Sequence, residues 1–422
     1  MTTLVKPEIQ TPLGLTNPEI KLLLCCARTQ IDNTTAEEIK TLLQHNINWE
    51  YLVETAVRHG VIPLLYTTLN NTCPEAVPQD ILKHLQTYFD VNSLHNLFLT
   101  QELVKLLDLL KQHNIPVIPY KGPALAVSAY GNLSLRQFCD LDILVQERDF
   151  LKAIDLLTSS GYQPKAKQSI LNDKEHIVQI KDSNEYSLIS KNGNVSLDIH
   201  QEIIPKELKL FPLVFDDLWE RLEPVSLTGT TVLNFHREDL LLILCVHGSK
   251  HMWERLGWIC DIAELLRNSQ EIDWEQLIGK ARKLGCERML LLGLFMANTI
   301  LGASLPPIVH QRIIADPETQ SLGKQMYLRL FEKNQVSTSY LSQEKIIYHV
   351  MERIENTIIY GRMMERLEDK IILFFSTVWV RISRVTTRTV KDRDFLPLPR
   401  SLYFLYYLIR PIRLCWKFYK HF

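Results

Sequence analysis

The sequence predicts a small α/β core flanked by large N- and C-terminal helical regions. Apolar residues recur at helical spacing before residue 114 and again after residue 236. Between them, short β-branched runs bounded by proline or glycine alternate with helical stretches, the pattern of a compact α/β unit. The composition is that of a globular chain: 422 residues, 46% hydrophobic and 23% charged, with 15 glycines and 19 prolines. That excludes collagen-like, mucin-like and largely disordered chains. At roughly 100–200 residues per domain the length allows two or three domains. The expected organisation is a helical region over 1–113, the α/β core over 114–235, a helical domain over 236–370 and a distinct tail over 371–422.

The N-terminal helices have readable boundaries. Asn17-Pro18-Glu19 places a cap, a proline and an acid where a helix starts, and an apolar run follows. Thr34 and Thr35, followed by Glu37 and Glu38, predict a second start. Trp49, Leu52, Val53 and Ala56 share one face, with Gly60 as the stop. Residues 79–113 predict a long helix with Leu103, Leu106, Leu107 and Leu110 on one stripe.

At Asn114 the pattern changes. Residues 115–119 read as a strand, 124–130 as a helix, 140–145 as a second strand and 149–159 as a helix ending at Gly161. Further strands are expected over 177–180, 186–189 and 195–200. Asn192-Gly193 joins the last two, because both residues tolerate positive φ. Later apolar stripes over 240–246, 258–266 and 289–300, and an amphipathic run over 346–367, predict the C-terminal helices.

Charge and cysteine content narrow the function classes. A formal net charge of -1 gives no global basic field to mark nucleic acid as the partner. None of the eight cysteines forms a C-x-x-C pair, which argues against a zinc ribbon or thioredoxin motif. No charged segment followed by an apolar run opens the sequence, so no signal peptide is expected. Free thiols then fit a reducing cytoplasm. The apolar runs near the C-terminus fall short of the ~20 residues a spanning helix needs.

The chemistry centres on Asp140-Leu141-Asp142-Ile143. Side chains alternate along a strand, so Leu141 and Ile143 face the core while Asp140 and Asp142 share the other face. Two carboxylates that close repel each other unless a cation lies between them. Mg²⁺ suits such a site, since it takes one or two carboxylates plus substrate phosphate oxygens. Residues 195–200 repeat the arrangement: Leu197 and Ile199 point one way, Asp198 and His200 the other. If the strands are neighbours, three carboxylates converge. Two metals there could polarise an attacking hydroxyl and a leaving pyrophosphate. Lys121-Gly122-Pro123 lies between a strand and a helix. Gly122 lets backbone approach a ligand, the helix N-terminus favours an anion and Lys121 adds a point charge for phosphate.

These residues resemble a family. Lys121-Gly122, Arg136 four residues before Asp140, the Asp140-x-Asp142 strand and Leu197-Asp198-Ile199-His200 are similar to the uncharacterised nucleotidyltransferase family of bacterial proteins, within the polymerase β-type nucleotidyltransferase superfamily. His247-Gly248-Ser249-Lys250-His251-Met252-Trp253, with Leu256, Trp258 and Asp261, resembles a helical stretch of the same family. The resemblance implies a nucleotidyltransferase-like core with a mixed sheet and a catalytic metal-binding triad of Asp140, Asp142 and Asp198. It also implies Mg²⁺ and a nucleoside triphosphate (NTP). The chain departs from the superfamily pattern in one place. Gly122-Pro123 stands where a Gly-Ser or Gly-Gly pair is usual, and the spacer to Asp140 is longer.

Other residues keep two readings. Arg136 could grip a γ-phosphate or pair with Glu147 or Asp149. His200 could orient Asp198, contact the nucleotide or cap the strand face. His247 and His251 stand four apart on one helical face, either packing the helical domain on the sheet, forming a lip of the site that contacts base or acceptor, or ligating a metal. Gly248 occupies the place where a zinc protease needs glutamate, so that class is excluded. Trp253 and Trp258 read as core aromatics, with stacking on a base as the alternative, and Asp261 as structural. Residues 371–422 carry ten Lys/Arg against two acids, with interleaved aromatics. Such a tail can pack on an acidic body or lie on an anionic membrane surface.

The expected reaction is therefore Mg²⁺-dependent transfer of a nucleoside monophosphate from an NTP to an unknown acceptor: a small molecule, protein or RNA. The alternatives are an inactive binding module on the same fold, or a peripheral membrane protein held by its tail.

Overall fold

The computed structural model describes residues 17–165, 185–203, 215–268, 271–331 and 342–375. The strand expected over 177–180, and the tail from 376 onward, lie outside them. Five helices open the described chain: α1 Pro18–Cys26, α2 Asn33–Leu42, α3 Trp49–His59, α4 Ile62–Thr72 and the 34-residue α5 Gln79–Gln112. The core follows with β1 Val117–Pro119, α6 Gly122–Tyr130, β2 Leu141–Val145, α7 Glu147–Ser159, β3 Tyr162–Pro164, β4 Glu185–Ser190 and β5 Ser196–His200. Then come α8 Phe215–Glu220 and the ribbon of β6 Glu223–Leu227 and β7 Thr230–Asn234. Seven helices follow, α9 Arg237–Lys250, α10 Leu256–Arg267, α11 Trp274–Lys283, α12 Glu287–Leu301, α13 Pro307–Ala315, α14 Pro317–Phe331 and α15 Ser342–Met363, and a helical stretch over 367–375 ends the described part.

Local chemistry sets the boundaries. The Asn17 side chain accepts from the Ile20 N–H at 3.0 Å and starts α1. The second helix begins earlier than the threonines predict. Asp32 accepts from the Thr35 N–H at 2.8 Å, so the carboxylate is the cap and the threonines lie inside the first turn. Gly60, at φ +69°, closes α3. Between β4 and β5 only Gly193 takes positive φ, while the Asn192 side chain accepts from the Asn194 N–H. The β6–β7 ribbon has no strong signal in sequence. Its turn places Thr228 and Gly229 at φ +46° and +86°, and a β-branched residue rarely adopts that conformation.

The five strands form a mixed sheet in the order β1-β2-β5-β4-β3. Strand β2 runs antiparallel to β1 and parallel to β5, with Asp142 directly opposite Asp198. Leu141, Ile143, Leu197 and Ile199 are fully buried on one face, against the leucine stripe of α5 and Phe150, Ala153, Ile154 and Leu157 of α7. Ile118, Tyr120 and Leu144 join the apolar core of the flanking helices instead. That second core is continuous from α1 to Leu373, so the two helical regions, distant in sequence, bury their faces against each other. The seven described cysteines are free, and all but Cys139 are buried. Among the described residues no helix is long and apolar enough to cross a membrane.

Trp253 is wholly buried in this larger core, with its ring against the backbone of Gly248 and Gly293. A methyl group at Gly248 would overlap the indole. Gly248→Ala should therefore cost about 1–3 kcal/mol of stability, read as a lowered midpoint in denaturant.

Candidate functional site

A cleft of about 340 Å³ lies between the sheet and the helices α9 and α10. Lys121, Gly122, Arg136, Asp140, Asp142, Asp198, His200, His247 and His251 all line it. The strand alternation and the parallel β2–β5 register account for the carboxylates. Both elements turn their apolar side chains to α5 and α7 and leave their acids on the opposite face. Asp140 stands one residue before β2 rather than within it, and stays at the same cleft.

The three acids differ in what holds them. Asp142 is 8% exposed, and its Oδ1 receives two groups: Lys121 Nζ at 3.3 Å and His200 Nε2 at 3.0 Å. Burial alone would raise its carboxyl. Lys121 and His200 more than reverse this and hold it well below the usual carboxylate range. An ionised carboxylate can only accept, so His200 donates through Nε2–H. Asp140 is pushed the other way, by burial and by the neighbouring charges of Asp142 and Asp198. Asp198 has a buried Oδ1 with no hydrogen-bond partner among the described residues.

The loop after β1 approaches the acids closely. Gly122 takes φ +48°, and a Cβ there would stand 3.4 Å from the Asp140 carbonyl oxygen. Pro123 sits in the first turn of α6, so that helix opens beside Lys121 with its N-terminus at the cleft.

The chain matches the model of the uncharacterised nucleotidyltransferase family over residues 45–302. It belongs to that family. Among solved structures, an antigenic nucleotidyltransferase-like protein from Paracoccidioides brasiliensis is similar at 15% identity and a TM-score of 0.34, covering 52% of this chain and 97% of that one. Among curated proteins nothing matches. The match extends from α3 to α12 and so takes in the sheet, the cleft and the α9–α10 helices that close it.

Within this nucleotidyltransferase-family cleft, Arg136 is not free. Its Nε and Nη2 donate to the two carboxylate oxygens of Asp261 at 2.8 and 3.0 Å, and the Tyr130 hydroxyl donates to the same carboxylate at 2.7 Å. The partner is Asp261 on α10, not Glu147 or Asp149, because the chain after β2 carries those two away from it. Burial opposes the guanidinium charge, and Asp261 more than reverses this, holding Arg136 above its ordinary range. The backbone beside it is held too: buried Asn96 of α5 donates to the carbonyls of Leu133 and Arg136 at 2.6 and 2.7 Å. Arg136 thus ties the segment leading to Asp140 onto the helical domain.

His247 and His251 face the cleft from α9 and its C-terminal end, with ring centroids 4.6 Å apart. Burial and the charges of Lys121 and His251 lower His247 well below its usual range. Burial, with Lys250 and Lys121, takes His251 down to about 4. Both rings are therefore neutral near pH 7. Sequence reasoning passed over Glu185, Lys250 and Arg255, which also line the cleft. Glu185 pairs in register with His200 across β4–β5, and its Oε2 lies 3.8 Å from His200 Nδ1. A lone acid at a strand start carries no signal of that pairing.

The donor set suits a hard divalent cation: carboxylates from two adjacent strands, one with an orphaned buried oxygen and one raised by its neighbours' charge. The side chains are not gathered into a closed cage. No cluster of three or more His, Cys, Asp or Glu among the described residues is arranged to hold an ion, and Lys121 supplies the local countercharge at Asp142.

Two outcomes follow. Asp142→Asn keeps an acceptor oxygen but removes the negative charge that partners a nearly buried cation, and should cost about 3–5 kcal/mol at neutral pH. Because the folded-state carboxyl is depressed, that stabilisation is present above the unfolded value of roughly 3.9 and is lost as pH falls through the folded value. The gap in Tm between wild type and variant should narrow in acid. Asp261→Ala strands Arg136 in the same way and should cost a similar ~3–5 kcal/mol by denaturant titration.

Proposed function

We propose that this chain is a Mg²⁺-dependent nucleotidyltransferase that moves a nucleoside monophosphate from an NTP to an acceptor hydroxyl or phosphate and releases pyrophosphate. The observation that carries the reading is Asp198 facing Asp142 across parallel strands, with Asp140 beside them, in a cleft that Glu185 and Glu202 also line. Family membership supports this reaction class.

Asp140, Asp142 and Asp198 would hold the metal, two ions in the full complex. Bound Mg²⁺ would neutralise phosphate charge and polarise the acceptor oxygen. The remaining work falls to the chain. Asp198 would direct the acceptor hydroxyl and take its proton. Lys121, Gly122 and the start of α6 offer a charge and backbone N–H groups to the triphosphate. His200 fixes the orientation of Asp142. Arg136 is assigned to positioning, since the Nε–Nη2 edge of its guanidinium is spent on Asp261. The neutral His247 ring adds no charge beside the phosphates. Catalysis of this kind rests on placement and charge neutralisation more than on covalent chemistry.

A binding module without turnover is the second reading, favoured by the ion pair between Lys121 and Asp142. Calorimetric titration separates the two, because a module that keeps this pair shows no Mg²⁺-dependent NTP binding.

The decisive assay incubates the protein with each labelled NTP, Mg²⁺ and cell extract, then follows pyrophosphate and the labelled acceptor. Asp142→Ala and Asp198→Ala should each lower turnover by at least on the order of 10²-fold. Full activity in Asp142→Ala would refute the assignment.

A further inference from the structure

The cleft has two chemically different ends. Lys121, the carboxylates and the start of α6 make one end polar and charged. The other is formed by His247, His251 and Trp258, backed by the apolar side chains of Ile243 and Val246, with the charges of Lys250, Glu185 and Arg255 acting on His251. The three rings form one cluster. His247 and Trp258 meet edge to face with centroids 5.5 Å apart, and His251 and Trp258 are 5.3 Å apart.

Three facts separate this cluster from ordinary core. Trp253, five residues before Trp258, is wholly buried, whereas Trp258 is only half-buried and borders the cleft. Neither imidazole has a hydrogen-bond partner among the described residues, so both keep a free N–H donor and a free ring acceptor. Neither is arranged with a third ligand to hold a metal. His247 also links the two ends, since the charges of Lys121 and Asp142 both act on its ring.

We infer that this aromatic end is the nucleobase site: Trp258 provides the stacking surface, and the imidazoles of His247 and His251 read the edge of the base. The inference rests on the nucleotidyltransferase reading and extends it. A nucleotide is itself divided into a polyanion and a flat heteroaromatic ring, and the cleft repeats that division. Neutral imidazoles can donate and accept at once, which suits base edges better than a cation would. Base–aromatic stacking is sequence-tolerant, so Trp258 supplies affinity while the histidines supply choice among bases.

Calorimetry on the full chain with Mg²⁺ tests this, using non-hydrolysable analogues of the four NTPs and inorganic tripolyphosphate. Trp258→Leu should weaken the preferred NTP analogue by roughly 5- to 100-fold and leave tripolyphosphate unchanged. Trp258→Phe keeps a ring and should restore most of the affinity. His251→Ala should flatten the preference among the four bases. Should Trp258→Leu misfold, the fluorescence difference between wild type and Trp258→Phe serves instead. It should be quenched by the NTP analogue and not by tripolyphosphate. Equal losses for both ligands, or no loss for either, would overturn the assignment. Wild type that binds tripolyphosphate as tightly as any nucleotide would overturn the base site and leave the phosphate end standing. Wild type that binds neither would remove the nucleotidyltransferase reading, and this inference with it.

Discussion

The pairing of Lys121 and His200 with Asp142 is the contact on which the architecture around the cleft turns. A parallel β2–β5 register places Asp142 opposite Asp198 and leaves Asp140 close by, so negative charge gathers on a largely buried sheet face. Such a face is costly unless a cation shares it. Lys121 reaches Asp142 because Gly122 takes a left-handed turn that lets the backbone pass close to Asp140. His200 reaches it because the register sets it on the same face of β5, one alternation beyond Asp198. Charge, turn and register therefore constrain one another.

The helices do more than cover the sheet. Face by face, α5 and α7 bury the aliphatic side, and the combined N- and C-terminal bundle meets the acidic side without sealing it. Arg136 and Asp261 are the bolt between the two layers. A bidentate pair with a tyrosine on the same carboxylate leaves little angular freedom. It holds the segment before β2 and so sets where Asp140 stands. Asn96, wholly buried within α5, secures the same segment from the other side. The approach to the acids is thereby pinned by Asn96 and Asp261, on two helices far apart in sequence.

The electrostatics of the cleft are graded. Close to Lys121 the carboxyl of Asp142 is held ionised, and nearby Asp140 is raised by burial and by its acidic neighbours. Farther along, the imidazoles are kept neutral by burial and by the lysines. Opposite shifts within one cavity separate a region suited to cations and phosphate from one suited to uncharged aromatic surface.

Much of this was legible in the linear chain. Alternation at Asp140-Leu141-Asp142-Ile143 and Leu197-Asp198-Ile199-His200 determined which side chains face the core, because a strand has a period of two whatever it pairs with. Glycine, proline and cap residues determined most helix ends, since those signals act within a few residues. The weaker boundaries were those where two caps compete, as at Asp32 and Thr34, or where a turn uses an unfavoured residue, as at Thr228. What only the tertiary structure decided were the partners across long separations. That β2 and β5 are neighbours, that Arg136 closes on Asp261, that Glu185 faces His200 and that Trp258 borders the cleft all depend on packing between segments from 15 to more than a hundred residues apart. A side chain's local periodicity states which way it points, and only the packed chain states what it meets there.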